Sequence, residues 1–578
     1  MKVRLARKAG FCMGVRRAME LALAAANQTA GDIYTYGPLI HNPQVLALLE
    51  AKGVRRLDEI PPPGSRSGGT VIIRAHGVPR EAKAGLKAAG FDRIIDGTCP
   101  RVVRVQAIIR RAARGGKDVV IVGDRAHPEV VGLLGHTAGR GHVVAQPAEV
   151  AELPALANPV AVAQTTQSGE RFAAVVAALT GRFGAVEVHD TICEATHRRQ
   201  DEVRRLAAEV DGVVVVGGRD SGNTRRLRQI AGEGGRPAFL VETEGELDRA
   251  TLAGLGRVGV TAGASTPNWM IKKVVRELGS IRSRRESGLA HWARLILRFL
   301  VRSQLWVAAG AAGMTLASCR LQGLPLDLRL AGVAFFYIQA MHILNHFLDK
   351  EAGQFNEPDQ AQFLAKHKWL LVGLGVFSTV AAITLCASLG WLPLVLVTLM
   401  SITGLLYSVP VFPPRLEHLV GIERLKDIPG SKTLSAALAW AMIGAILPAA
   451  AREAFAPLGT PLAFAYILVL VFVRCAFFDV LDVQGDLIVG KETIPIVLGE
   501  KKTRRLLGML LGGLALVLLA APLAGLPGPL AWGLLVPVGG LAVMQLAIHR
   551  HWVMPGHASE GLVDFNFWLA GLMAAVAG

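Results

Sequence analysis

The stretch RIIDGTCPRVVRVQ, residues 93–106, holds one cysteine, Cys99, between a threonine and a proline. A short apolar run leads into it and a helix-like pattern leads away. Pro100 suits the first helical position, which needs no N–H donor. The junction therefore predicts a strand that ends, turns on small residues and passes into a helix. The next cysteines of this half, Cys12 and Cys193, lie 87 and 94 residues away. A lone thiol at a strand end is either a small buried hydrophobe or one donor of a site assembled from distant parts of the chain.

Outward from this junction the same alternation recurs. TVIIRAHG (70–77), DVVIVGD (118–124), VAVAQTTQS (160–168), GVVVVGG (212–218) and RVGVTAGAS (257–265) read as strands. Each ends in small or polar residues and precedes an amphipathic stretch, the pattern of parallel βαβ units and the α/β class. Ligands of open parallel sheets sit beyond the carboxyl ends of the strands. His76, Cys99, Thr165, Cys193, Ser221 and Ser265 all fall at or just past such ends, in position for one central site. The wide, similar cysteine intervals suit three comparable α/β lobes around a centre.

Three thiolates suit a soft metal centre, zinc or iron–sulfur, and three protein ligands leave one coordination position open. Histidines in LIHNP (39–43), RAHGVP (74–79) and HPEVVG (127–132), with hydroxyls, an amide and glycine-rich helix starts, suit an anion such as a diphosphate. Glu129 in the last of these is placed to carry protons. A zinc hydrolase of a phosphorylated substrate is the alternative. Unpaired thiols argue against a disulfide framework.

The 578-residue chain carries a formal net charge of +17. It has no basic helix with interleaved aromatics and no zinc-finger spacing, so nucleic acid is not expected as a partner. From residue 304 onward the chain becomes a series of long apolar stretches, near 304–321, 328–348, 369–388, 390–410, 433–451, 461–478, 505–522, 529–548 and 562–577. A bilayer-crossing helix needs roughly 20 such residues, so about nine transmembrane helices are expected in an all-α polytopic domain over 304–578. Residues 281–303 form a basic linker, with Arg282, Arg284, Arg285, Arg294, Arg298 and Arg302 before the first span. Such a cluster fits the positive-inside rule and membrane lipids as partners. The opening residues lack the apolar core of a signal peptide. The expectation is a multi-pass protein of the inner (cell) membrane with residues 1–280 in the cytoplasm.

Acidic residues close to membrane spans are costly and usually functional. HILNHFLDKEAGQFNEPD (342–359) places Asn345 and Asp349 four apart, and FFDVLDVQGDLIVGKETIPIVLG (477–499) does the same for Asp482 and Asp486, beside Asp479. Residues four apart share a helix face, and two such clusters suit Mg²⁺ against a diphosphate. Between them, Arg415, Arg424, Lys426 and Lys432 suit phosphate oxygens. The alternative is a set of interfacial caps on a non-catalytic anchor.

The ordered set GFCMGV, LIHN, AHGVP, DGTCP, HPEVVG, QTTQS, DTIC.AT..RQ and VGVTAGAS closely resembles the 4-hydroxy-3-methylbut-2-enyl diphosphate reductases, the LytB/IspH family, across essentially residues 1–280. The resemblance implies three α/β lobes around a central [4Fe–4S] cluster held by Cys12, Cys99 and Cys193, with one iron open to the substrate hydroxyl. It implies that His41, His76 and His127 contact the diphosphate, with Ser221, Gly222, Asn223 and Ser265 completing the cradle. Glu129, supported by Thr165, would relay protons. The implied reaction is reductive dehydroxylation of this allylic diphosphate to isopentenyl and dimethylallyl diphosphate, the last step of the non-mevalonate isoprenoid pathway. It takes two electrons and two protons, with ferredoxin or flavodoxin as donor. Where that family shows Ser-Ser-Asn-Ser, this chain has Ser221, Gly222, Asn223 and Thr224.

DVLDVQGDLIVGKETIP, over 479–495, resembles the UbiA family of membrane prenyltransferases, and the likeness extends across most of 300–578. It implies prenyl transfer from a prenyl diphosphate, with Mg²⁺ and diphosphate held by Asn345, Asp349, Asp479, Asp482, Asp486, Lys426 and Lys432. The first acidic motif departs from that family's pattern, because His346 and Gly353 stand where it has acids.

Overall fold

Valine and isoleucine runs set the sheets of the first half. The computed structural model describes all residues except 29–30, 282–286, 349–354, 408–427, 429, 551, 554–555 and 578. In it Val119–Val122, Val160–Ala163 and Gly212–Val216 are buried along their whole length. Strands buried on both faces belong to parallel sheets covered by helices, and each fully buried valine or isoleucine contributes about 1.5–3 kcal/mol. Contacts divide the chain into two compact units, residues 1–286 and 287–578.

The first unit has twelve strands: β1 (Lys2–Leu5), β2 (Ile33–Tyr36), β3 (Val54–Leu57), β4 (Thr70–Ile73), β5 (Arg93–Asp96), β6 (Val119–Val122), β7 (Gly141–Val144), β8 (Val160–Ala163), β9 (Glu187–His189), β10 (Gly212–Val216), β11 (Ala238–Val241) and β12 (Arg257–Ala262). They form three parallel four-stranded sheets, ordered β3-β2-β4-β5, β7-β6-β8-β9 and β11-β10-β12-β1. One topology is used three times. In each lobe the first and third strands lie in the middle and the second and fourth at the edges. The last lobe takes β1 as its fourth strand, in register from Lys2↔Arg257 to Leu5↔Val260. The expected α/β lobes are therefore three, and they are topologically equivalent.

The second unit is helical throughout its described residues. Leu305–Leu321, Leu328–Leu348, Lys368–Leu389, Trp391–Leu406, Ser431–Ala441 with its continuation to Ala451, Gly459–Val489, Glu500–Ala520, the pair Gly528–Gly533 and Leu535–His549, and His557–Val576 fall on the nine apolar stretches. Of the described helices, five are long and apolar enough to cross a membrane, or six if His291–Arg302 and Leu305–Leu321 form one broken span bent by 68°. The count of nine is thus not reached. Trp391–Leu406 is one of the shorter apolar helices, and the bend falls at Gln304, whose φ of +66° ends one helix before the next begins. Where a basic linker was expected over 281–303, residues 282–286 lie outside the described residues and Gly288–Arg302 is a helix of this unit. Arg302 is buried there and pairs with Glu560 at 3.2 Å. Small residues let helices meet closely: a Cβ on Gly571 would lie 2.6 Å from Gly313 Cα, the packing used where lipid removes the hydrophobic drive.

Candidate functional site

Each lobe delivers one cysteine beyond the carboxyl end of its fourth strand: Cys12 after β1, Cys99 after β5 and Cys193 after β9. The backbone holds all three in the same way. The N–H of Cys12 donates to Ala264 O (3.1 Å), that of Cys99 to Ala75 O (2.9 Å) and that of Cys193 to Thr165 O (2.8 Å), each acceptor lying just past the neighbouring third strand. Cys99 and Cys193 cap the helices Pro100–Arg114 and Glu194–Glu209, and Met13–Gln28 begins right after Cys12. Positive helix ends favour thiolate. Gly14 makes room for the approach, because a Cβ there would lie 2.4 Å from Cys99 Sγ.

All three cysteines are half-buried free thiols. Burial pushes the Cys99 thiol up, and Cys12 and Cys193 push it further. Three thiolates so placed repel one another, and a cationic metal centre relieves the repulsion. The donor set fits the iron–sulfur group that the sequence implies.

The first and third strands of the lobes supply polar groups at equivalent ends. His41 follows β2, His127 follows β6 and Ser221 follows β10; His76 follows β4, Thr165 follows β8 and Ser265 follows β12. Asn42, His127 and Ser221 cap the helices Pro43–Ala51, Pro128–Leu134 and Gly222–Glu233, accepting from the N–H groups of Val45, Glu129 and Thr224. The imidazoles converge, with ring centroids 4.7 Å apart for His41–His76, 5.7 Å for His41–His127 and 5.4 Å for His76–His127. Their ligand nitrogens lie within 4.8 Å of one another, a spacing a metal ion can also use.

Burial, then the neighbouring rings and Arg74, holds His76 well below the usual imidazole range. Burial first and Arg74 second lower His41. Burial, with His41 next, brings His127 to about 4. His127 Nδ1 accepts from the Glu129 N–H at 3.2 Å, so the neutral ring carries its proton on Nε2. Arg74, two residues before His76 in RAHG, adds fixed positive charge beside all three rings. Sequence reasoning passed over it, although a cation that close to a strand-end histidine was the available signal.

Glu129 is 2% exposed. Its carboxylate accepts from Thr165 twice, from the N–H at 2.7 Å and from Oγ1 at 2.8 Å. Burial pushes its pKa up against those two bonds. Ser265 Oγ donates to His41 O at 3.0 Å. Ser221 and Asn223 are buried, and Asn223 Nδ2 has no hydrogen-bond partner among the described residues. Gly222 is exposed, with nothing within 4 Å of the place a Cβ would take.

In the second unit Asp479, Asp482 and Asp486 lie on Gly459–Val489. Thr433 Oγ1 donates to Asp479 at 2.6 Å, and Asn356 Nδ2 donates to Asp486 at 2.8 Å. Lys432 stands within electrostatic reach of both carboxylates. Asn345 is exposed near the end of Leu328–Leu348, and the neighbouring His346 Nε2 lies 3.1 Å from Gln304 Nε2. Asp349 and Lys426 lie outside the described residues. Asn356 went unnoticed in sequence. Gly485 allows its approach, since a Cβ there would fall 1.7 Å from Asn356 Oδ1.

Residues 3–279 match the family model described as LytB protein, and residues 305–569 match that of the UbiA prenyltransferase family. A 4-hydroxy-3-methylbut-2-enyl diphosphate reductase of Citrifermentans bemidjiense is 44% identical over 281 residues, covering 49% of this chain and 98% of that protein. A reductase of the same name from Oleidesulfovibrio alaskensis is 45% identical over 285 residues, covering 49% of this chain and all of the relative. Among solved structures, a UbiA homolog from Aeropyrum pernix K1 is 16% identical, covers 46% of this chain and 98% of its own, and has a TM-score of 0.38. The UbiA match and the apolar helices make this a multi-pass membrane protein. Three cysteines at equivalent strand ends and three converging histidines, together with alignment over nearly the whole length of the reductase relatives, lead to one conclusion: the chain belongs to the LytB protein family, with a UbiA-family domain joined to it.

Proposed function

We propose that the first half reduces 4-hydroxy-3-methylbut-2-enyl diphosphate to isopentenyl and dimethylallyl diphosphate, and that the second half transfers a prenyl group from a prenyl diphosphate. The observation that carries the first reading is convergence, with one thiol brought to the same strand end of each of three equivalent lobes and three histidines gathered from strand ends of two of them. A [4Fe–4S] cluster bound by Cys12, Cys99 and Cys193 would supply the two electrons that break the allylic C–O bond.

The chain's own residues do the rest. His41, His76 and His127 take the diphosphate with Arg74 behind them, and each neutral ring becomes easier to protonate as the anion arrives. Ser221, Asn223 and Ser265 add a hydroxyl, an amide donor and a second hydroxyl, and the Gly222 N–H opens the helix beside them. Glu129, whose proton affinity burial raises, relays a proton by way of Thr165 Oγ1 to the departing hydroxyl. A second proton ends on carbon, so two electrons and two protons enter and one water leaves. The electrons come from a small external carrier, ferredoxin or flavodoxin.

In the second half, Asp479, Asp482 and Asp486, with Asn345, Asp349, Lys426 and Lys432, would hold Mg²⁺ and the prenyl diphosphate. The arginine cluster at 282–302 supports a cytoplasmic first half at the inner membrane.

Anaerobically purified protein tests the first reading. It should carry about four irons and as much sulfide per chain, reduce the allylic diphosphate, and lose cluster and activity together in Cys99→Ser. The histidine spacing favours one competitor, a zinc hydrolase. Colourless, zinc-loaded, active protein would establish it instead. For the second half, Asp482→Ala should abolish prenyl transfer, and a parent protein inactive on long prenyl diphosphates would favour the anchor.

A further inference from the structure

Arg199, in the DTICEATHRRQ stretch over 190–200, has no part in the chemistry above. It lies on the buried face of Glu194–Glu209, the helix that Cys193 caps, and is 5% exposed. Arginine is almost never buried so fully unless paired. Arg199 makes no ion pair with a carboxylate among the described residues. Its Nη2 donates to Gly10 O at 2.8 Å, in the loop that carries Cys12. Its Nε and Nη1 are buried and bond to nothing among the described residues. The carboxylate that acts on it electrostatically is committed elsewhere, since Glu202 accepts the Arg7 N–H at 2.6 Å and the Lys8 N–H at 2.8 Å.

Two unpartnered nitrogens on a buried cation are costly. They are tolerable where an acceptor arrives later. The groups that act electrostatically on Arg199 are Cys12, Glu202 and Cys193. Its hydrogen bond ties the first cysteine loop to the helix of the third cysteine. The side chain of a helical residue leans back toward the helix start, which here is the thiol end.

We propose that Arg199 is the positioning residue of the thiol site, with Nη2 fixing the Gly10–Cys12 loop and Nε and Nη1 donating to the sulfur atoms gathered there. The inference rests on the iron–sulfur reading of that site. Donated hydrogen bonds and a nearby positive charge favour the more negative, reduced state, so Arg199 raises the reduction potential.

The test uses the full-length protein in detergent, reconstituted anaerobically, with Arg199→Gln and Arg199→Lys beside the parent. Readouts are iron and sulfide per chain and the midpoint potential from a spectroscopic redox titration. In Arg199→Gln the reduction equilibrium should move at least tenfold toward the oxidised form, a potential lower by 59 mV or more for one electron. Arg199→Lys, which keeps the charge, should move it less. If the Gln variant cannot hold a cluster while the Lys variant can, the charge assignment is also supported. A fully loaded Gln variant with the parent's potential overturns it, and so does equal loss of cluster in both variants. A parent that takes up no iron and sulfide fails the iron–sulfur reading itself, a result distinct from either.

Discussion

Glu129 is a buried carboxyl whose proposed proton transfer can be tested directly. Both of its oxygens are engaged by Thr165, yet burial keeps its proton affinity high. Glu129→Gln preserves shape and removes the proton. Turnover should fall by about 10²–10⁴-fold with KM little changed, in steady-state assays with a chemical reductant. A loss below tenfold would remove Glu129 from the proton path. Gly222 offers the opposite experiment, because open space surrounds its missing side chain. Gly222→Ser should fold normally and lower KM by about 2–10-fold, the range of one added hydrogen bond of about 0.5–1.5 kcal/mol. An unchanged KM would mean that position 222 does not face the substrate.

At the scale of elements, burial decided what the sequence made legible. The five expected strands are β4, β6, β8, β10 and β12, all inner strands with continuous apolar runs. Edge strands β1, β3 and β9 carry charges and offer no continuous apolar run over their three or four residues, so they do not stand out. Edges that bear charge also resist pairing with other chains. β5 was found only because Cys99 drew attention to it. The cysteines and histidines were legible because each follows a strand end; Asn356 was missed because its partner Asp486 lies far along the chain, and Arg74 because two of the three rings it acts on, His41 and His127, reach it only through the fold. Gly485 has the same character. Gly485→Ala should push Asn356 off Asp486 and lower prenyl transfer at least about tenfold, or about 1.4 kcal/mol at the barrier. Full activity in that variant would show that the Asn356–Asp486 bond is dispensable.

Across the whole molecule, the histidine cluster sets a pH response. The unfolded histidines titrate near about 6.5, and all three folded values are lower, His127 at about 4. Below about 6.5 the unfolded state therefore binds more protons, and the stability these rings contribute falls as pH drops toward the folded values. Glu129, raised by burial, works in the other direction, but three rings against one carboxyl decide the sign. Thermal unfolding of ligand-free protein in detergent should shift to lower temperature between about pH 6.5 and 4.5, and inorganic diphosphate should lessen the shift. An upward shift would contradict the histidine assignment. The three-lobed arrangement also orders events during synthesis. Because β1 pairs with β12, the first strand made must wait for Arg257–Ala262 before its lobe can close. Two lobes can fold as they emerge, while Cys12 stays unplaced until the third is complete. A group held by all three cysteines can therefore be bound only after Arg257–Ala262 has been made.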